Sequence, residues 1–439
     1  MFFHSFKLFT ATSLTALLLS ACGGGGDPAP APTGLTVTPA ESSVSVSWDA
    51  TSGVEYWLFY GLKSIAPTDV SSMSGWIGLP GGSVILNLNA SPRIITGLVN
   101  GTDYSFSVNG RTGGGPGGPG ATPVIATPRL AGATWTAGTA ITNTPTLRAV
   151  AHRATAATVT TASVSTYVAG GVGGAMLSSN DGTTWTTIVP MTSNTLNSAS
   201  YGGGSYKLVG DAGVVLTSPD AVTWNARSSG TTNHLYAVAH NPSGVSVAVG
   251  ASGTIIYSGD GTTWTAAKYS GTAPTSHLYA VTYSNFNVGT NTAGTWVAVG
   301  ADGTMVQSAD GINWKTVNTG ITTDLRGIAS GITTAATTTT ASFTTFVAVG
   351  ASGALLRSTD GTTWTPQAGP VAGINLNAIT YGTQFIAAGA GGNIFYSTDG
   401  AVWTAAVVPP GTTNDLFAVV RGSLAYSAVG ATGTNLFAK

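Results

Sequence analysis

Charge is what this chain has least of. Only 7% of its 439 residues are Asp, Glu, Lys or Arg, and the formal net charge is −1. No basic field is available to condense on phosphate, so nucleic acid is excluded as a partner, and affinity must come from shape and a few polar contacts. Cysteine is almost absent as well. Cys22 is the only one, which rules out an intrachain disulfide. Glutamate occurs only at Glu41 and Glu55. What fills the chain instead is Gly, Thr, Ala and Ser, a composition suited to short strands and tight turns, so an all-β chain of more than one domain is expected.

The beginning of the chain has its own logic. Residues 1–21 carry a weakly basic start at Lys7, an apolar run through Leu17-Leu18-Leu19, and small residues before Cys22. This pattern predicts an export signal too short to span a membrane as a helix. Leu19-Ser20-Ala21-Cys22 resembles the lipobox of bacterial lipoproteins. The resemblance implies cleavage before Cys22 and attachment of a diacylglycerol to its thiol, whose acyl chains gain about 0.8 kcal/mol per buried methylene. In such lipoproteins Gly after the cysteine, here Gly23, implies delivery to the outer membrane of a Gram-negative host. Residues 22–32 then form a tether, flexible through Gly23-Gly24-Gly25-Gly26 and stiffer through Asp27-Pro28-Ala29-Pro30-Ala31-Pro32.

Residues 33–128 alternate apolar and polar positions in short runs such as Ser43-Val44-Ser45-Val46-Ser47-Trp48 and Tyr104-Ser105-Phe106-Ser107-Val108. About one hundred residues of this kind predict a β-sandwich. Trp48 on the second strand, with Leu98, Gly101 and Tyr104 at a corner, resembles a fibronectin type III domain. The Gly/Pro-rich run from Gly113 to Gly120 reads as the loop before its last strand, and the module as a spacer.

From residue 129 to 439 the chain repeats. Ser-x-Asp-Gly-x-Thr-Trp or a near variant recurs at Asp181, Asp220, Asp260, Asp310, Asp360 and Asp399. Ahead of each copy stands one frame, clearest in Leu235-Tyr236-Ala237-Val238, Val245 to Gly250, and Gly253 to Ser258. Four short strands recurring every 40 to 50 residues predict β-propeller blades. The tryptophans at 135, 185, 224, 264, 314, 364 and 403 set the count at seven. The copy at Trp135 has only a fourth strand and the end of the chain only three, so the Trp135 strand is expected to close the last blade. Thr/Ala-rich additions at Arg153 to Thr166, Asn285 to Gly294 and Gly331 to Thr345 are expected to extend hairpins on one face.

The six repeated aspartates are placed by the pattern in separate hairpins, which predicts a structural role: the carboxylate accepts backbone N–H groups, Gly takes a positive φ, and Trp is buried beneath. The motif resembles the Asp-box of sialidases and related propellers. Sialidases need a Tyr activated by Glu, an acid/base Asp and three arginines; the propeller region holds no Glu, which disfavours that chemistry. The wider resemblance is to the photosystem II assembly-factor type of Asp-box propeller, which implies a binding or assembly role and an arginine patch near the central channel. Leu147-Arg148-Ala149-Val150 and Leu325-Arg326-Gly327-Ile328 keep that pattern, whereas Tyr236, Tyr279, Asn377 and Phe417 stand at the equivalent places.

The ligand-binding candidates are therefore Arg148, His234, Tyr236, His277, Tyr279, Asp324, Arg326 and Asp415, with Asn375 at an equivalent place, all on the face opposite the Asp-boxes. Two histidines with no third ligand fixed by spacing argue against a metal site, and no cofactor is implied. The leading expectation is a monomeric, membrane-anchored module that binds an envelope protein or glycan without turnover. The alternative is a glycoside hydrolase using two of the aspartates outside the boxes, Asp211, Asp302, Asp324 and Asp415.

Overall fold

The computed structural model describes residues 26–40, 42–155, 164–284, 294–333, 343–422 and 425–438. The predicted export signal, Cys22 and the start of the tether lie outside the described residues, as do the central parts of the three Thr/Ala-rich additions. The chain divides into two compact units, one comprising Met1–Leu130 and Thr155–Val164 and the other Ala131–Ala154 and Ser165–Lys439.

The first unit consists of two antiparallel sheets. One has three strands, Thr36–Ala40, Ser43–Ser47 and Arg93–Thr96; the other runs in the order Ser83–Leu88, Val54–Leu62, Tyr104–Thr112, Val124–Ala126. Alternation sends Val44, Val46, Leu58, Phe106 and Val108 into one shared core. Trp48 follows the last residue of the second strand and packs at 5.6 Å from Tyr56. The Tyr104 hydroxyl accepts the Val99 N–H at 3.2 Å, which fixes the turn leading into the long strand. On the opposite face of Val54–Leu62, Trp57 and Phe59 form a second cluster with Met73 and Trp76, supplied by the short helical turn Met73–Trp76.

The second unit is built from seven sheets, six of them with their four blade strands in chain order. The seventh takes Leu416–Arg421, Tyr426–Gly430 and Asn435–Ala438 from the end of the chain and Thr136–Ala137 from the beginning of the unit. There Thr136 pairs with Phe437 and Ala137 with Leu436. The sixth sheet grips the same segment from the other side: Trp135 N–H donates to Val407 O and Val407 N–H to Ala133 O, each at 2.8 Å. The seam is thus held on both sides, and the outer side of Asn435–Ala438 is covered. In the fourth sheet Lys268–Tyr269 adds a parallel strand outside Asn313–Val317. The described ends of one Thr/Ala-rich addition continue a hairpin, with Ser330 opposite Phe346 and Thr333 opposite Phe343.

Second strands such as Val247-Ala248-Val249 and Val297-Ala298-Val299 are buried at every position. A neighbouring sheet covers each face, so the apolar run is continuous instead of alternating. Where the strand ends, every sheet uses a glycine: Gly171, Gly210, Gly250, Gly300, Gly350, Gly389 and Gly430. A Cβ at any of these would stand 1.8–2.2 Å from the carbonyl oxygen of the residue that precedes the first strand's leucine. The next residue's N–H donates to that same carbonyl at 2.8–2.9 Å. Only glycine permits so close an approach.

The Ser-x-Asp turns between third and fourth strands share one geometry. The serine Oγ accepts the N–H three residues on at 2.8–2.9 Å. The Asp Oδ1 accepts the next two N–H groups at 2.7–2.9 Å. Burial pushes the carboxyls of Asp181, Asp310 and Asp360 up, but the backbone N–H bonds outweigh it and hold each at about 2. The left-handed residue is glycine in five of these turns, and Ala221 holds φ 67° in the other.

One buried group breaks the apolar rule. Lys207 stands in a second strand at 1% exposure, where the next sheets have Val247 and Val297. Its ammonium donates to Gly202 O and to the carbonyl and hydroxyl of Ser205, with no carboxylate partner among the described residues. Burial pushes its pKa down from 10.5 to about 8. Between about 8 and 10.5 the unfolded chain therefore binds more protons than the folded one, so this residue's contribution to stability rises with pH across that window and is least favourable below it. Urea unfolding should show Lys207→Met more stable than wild type at pH 7, with the gap closing by pH 10; a gap independent of pH would contradict the assignment.

Candidate functional site

Each first strand begins with a buried leucine, and in six of them it is followed by a residue that the ladder cannot accommodate. Leu235 faces Gly250, yet Ala237 faces Val249, so Tyr236 is an extra residue. The same slip isolates Asn197, Tyr279, Arg326, Asn377 and Phe417. Such a β-bulge turns its extra residue out of the pairing and re-aims the side chain. Together with Arg148 these residues line one cavity of about 400 Å³, to which all seven sheets contribute.

The lining is uneven around the ring. On one arc four rings run edge to face and stacked: His234 to Tyr236 at 6.3 Å, Tyr236 to His277 at 5.9 Å, Tyr236 to Tyr279 at 5.6 Å, and His277 to Tyr279 at 6.2 Å. Burial, with the charge of Asp211, raises the Tyr236 phenol; burial, then Asp324, raises that of Tyr279. Both therefore stay protonated donors at neutral pH. Arg148 lies over the Phe417 ring at 5.5 Å, and Arg326 Nη1 donates to Asn377 Oδ1 at 3.1 Å. Asn377 and Asn197 in turn donate to the carbonyls of Leu416 and Leu235, the first-strand leucines of the following sheets, at 3.0 and 3.1 Å.

The residues before the first strands form a second ring. His234 and His277 accept, through Nδ1, the N–H of Ala212 and Ser252 at 3.3 and 3.1 Å. Asp324, Asn375 and Asp415 accept those of Asp302, Ser352 and Gly391 at 3.1, 2.9 and 2.9 Å. Every donor here is the left-handed residue of the preceding sheet's turn. These side chains therefore latch one sheet to the next. With Nδ1 engaged as an acceptor, the proton of neutral His277 sits on Nε2, the nitrogen left to meet a ligand. His234 Nδ1 also lies 3.1 Å from Asp211 Oδ1.

Of the sequence candidates, Arg148, Tyr236, Tyr279 and Arg326 line the cavity, and His234 and His277 extend its aromatic arc. Asp324 and Asp415 belong to the latches. Neither they nor Asp211 and Asp302 are among the lining residues. The six aspartates of the Ser-x-Asp turns are also absent from the lining. Sequence reasoning missed Asn197, although Leu196-Asn197-Ser198-Ala199 fits the Leu-x-small frame; Ala in place of Val or Ile obscured it. Among the described residues no three His, Cys, Asp or Glu side chains converge to hold a metal.

No protein-family model matches this chain, and no curated protein does. Solved structures do resemble it. YCF48 bound to D1 peptide is 16% identical with a TM-score of 0.50, covering 69% of this chain and 93% of its own. Virginiamycin B lyase from Staphylococcus aureus is 9% identical with a TM-score of 0.54, covering 70% and 99%. The WD40 propeller domain of Doa1 is 12% identical with a TM-score of 0.51, covering 70% and 97%. Identities this low carry the fold alone, and that fold is a β-propeller.

The latch assignment separates geometry from charge. Asp324→Ala removes the acceptor for the Asp302 N–H and should cost about 1 kcal/mol while speeding hydrogen exchange at that amide. Asp324→Asn keeps an acceptor oxygen and should leave exchange near the wild-type rate; equal acceleration by both would refute the latch.

Proposed function

We propose that this chain is a lipid-anchored binding or assembly module of the bacterial envelope that recognises a protein or glycan through the mouth of its propeller. One observation carries this reading. The repeating residues build the ring, while the position after each first-strand leucine varies around it and gathers Tyr236, Tyr279, Arg148 and Arg326 around one cavity. Clustered tyrosine and arginine are the residues that dominate recognition interfaces, and aromatic faces beside polar groups suit peptide and sugar alike. That YCF48 has been solved with D1 peptide makes an extended peptide a sensible first probe for this propeller.

The remaining parts of the reading follow from the residues that suggested them. Cys22 would take the lipid and place the protein at the outer membrane, with residues 23–32 as its tether. The strand order of the first unit and its Tyr104 corner support a fibronectin type III-like spacer, and the Ser-x-Asp turns are read as Asp-boxes whose work is structural. Hydrolysis has weaker support, because Asp211, Asp302, Asp324 and Asp415 are all absent from the cavity wall.

The test is a glycan array together with crosslinking of envelope proteins, using the full-length protein and a Tyr236→Ala/Tyr279→Ala variant. Binding by the wild type that weakens at least about tenfold in the variant is expected, the loss typical of aromatic hot spots. Binding to neither class, or binding that the variant leaves intact, would overturn the reading.

A further inference from the structure

The stretch that leads from Cys22 into the first unit is docked on that unit over part of its length. Asp27 O accepts the backbone N–H and the hydroxyl of Thr112, each at 3.0 Å, and the Asp27 N–H donates to Thr112 Oγ1 at 3.2 Å. The Ala29 N–H donates to Gly110 O at 3.2 Å, Pro28 faces Arg111 in antiparallel register, and Ala29 is buried. The segment thus adds a short edge to the end of Tyr104–Thr112 that Val124–Ala126 leaves open. The Gly-rich loop closes over it from the other side. A Cβ at Gly115 would stand 2.1 Å from Gly26 O, one at Gly118 1.9 Å from Ala29 O, and one at Gly26 1.8 Å from Thr112 O. Backbone is pressed on backbone from two directions, which only glycine permits. The run from Gly113 to Gly120 is therefore a clasp on the incoming chain.

The clasp fixes which end of the unit the chain enters. Thr112 pairs with Val54, so entry is at the end that carries the exposed turn Thr51-Ser52-Gly53. The chain leaves from the other end, where the Gly101 N–H donates to Pro128 O and the Arg129 N–H to Ala40 O. The strand Tyr104–Thr112 has nine residues. At about 3.3 Å each they separate the two ends by roughly 27 Å. The exposed large apolar side chains Ile65, Val99, Ile125 and Leu130 belong to the exit end. At the entry end the exposed run from Asp49 to Gly53 is small and mostly polar.

Only Gly23, Gly24 and Gly25 stand between Cys22 and the clasp. Even fully extended, the links from Cys22 to Gly26 reach about 14 Å. We infer that the entry end of the first unit, bearing Asp49 to Gly53, is held facing the phospholipid headgroup layer. The inference rests on the reading of Cys22 as the lipid-bearing residue, whose buried acyl chains place it at the headgroups. A reach of about 14 Å is shorter than the unit itself, so the unit cannot turn its exit end to the membrane. Small polar residues at the entry end suit contact with headgroups without insertion. A chain free from residue 23 to 32 would instead let the unit stand off and turn.

Acylation uses the chain's only thiol, so an introduced cysteine is the one site open to a thiol-reactive dye. The lipid-bearing protein carrying Ser52→Cys or Val99→Cys is labelled with bimane. It is then reconstituted into phosphatidylethanolamine–phosphatidylglycerol vesicles that contain a lipid with a nitroxide on its headgroup. Bimane at Ser52 should lose at least about half of its emission, and bimane at Val99 less than about a tenth. Gly118→Leu should expel the docked segment and bring the Ser52 signal to the Val99 level. Should that variant fail to fold, a long Gly/Ser spacer inserted after Gly25 serves the same purpose, because it lengthens the free chain and leaves the clasp intact. Mass spectrometry of the N-terminal peptide reports the acyl chains separately. Acylated Cys22 with no quenching at Ser52, or with equal quenching at the two sites, overturns this inference alone. Quenching at Ser52 that survives the spacer overturns it too, since lipid affinity and not the short link would then hold the unit. A Cys22 without acyl chains overturns it together with the anchor reading.

Discussion

Seven glycines bring one backbone against another, and the second unit depends on that contact. At the end of each second strand the glycine Cα approaches the carbonyl before the first strand so closely that no other residue fits, and the following N–H bonds to that carbonyl. The contact sets where the first strand begins. It therefore also sets which residue becomes the bulge, and so which side chain enters the cavity. A repeated backbone device thus presents a side chain that is free to vary, which is how a rigid scaffold carries a specific surface.

The other recurrent residues serve assembly in the same way. Serine and aspartate tie the outer hairpins with backbone N–H bonds, while His234, His277, Asp324, Asn375 and Asp415 stitch five of the turns to the next sheet. The Trp135 segment joins the two ends of the ring and is gripped from both sides. Lys207 is the exception, a buried cation whose ammonium donates to three oxygens but whose charge has no carboxylate partner among the described residues. It costs stability at neutral pH, and the structure shows no compensating function.

Much of this architecture was legible in the sequence because it is repeated. Six Ser-x-Asp turns and a tryptophan series that begins with a lone fourth strand and ends one strand short were enough to count sheets and to pair the chain's last strand with the first β-segment of the second unit. Repetition also limited what could be read. The bulge cannot be seen in Leu235-Tyr236-Ala237-Val238 itself, since it appears only in the register with the second strand. The latches join residues 22 to 25 positions apart through backbone groups that carry no sequence signature.

The central claim is that repeated residues hold the ring while the bulged ones are spared for recognition. Two single substitutions in one sheet test it most directly by urea unfolding. Gly350→Ala places a Cβ 1.9 Å from Asp324 O and should lose about 3 kcal/mol. Arg326→Ala, at the bulge of the same sheet, should stay within about 0.5 kcal/mol of wild type. A tolerated alanine at Gly350, or a loss at Arg326 of similar size, would contradict the account.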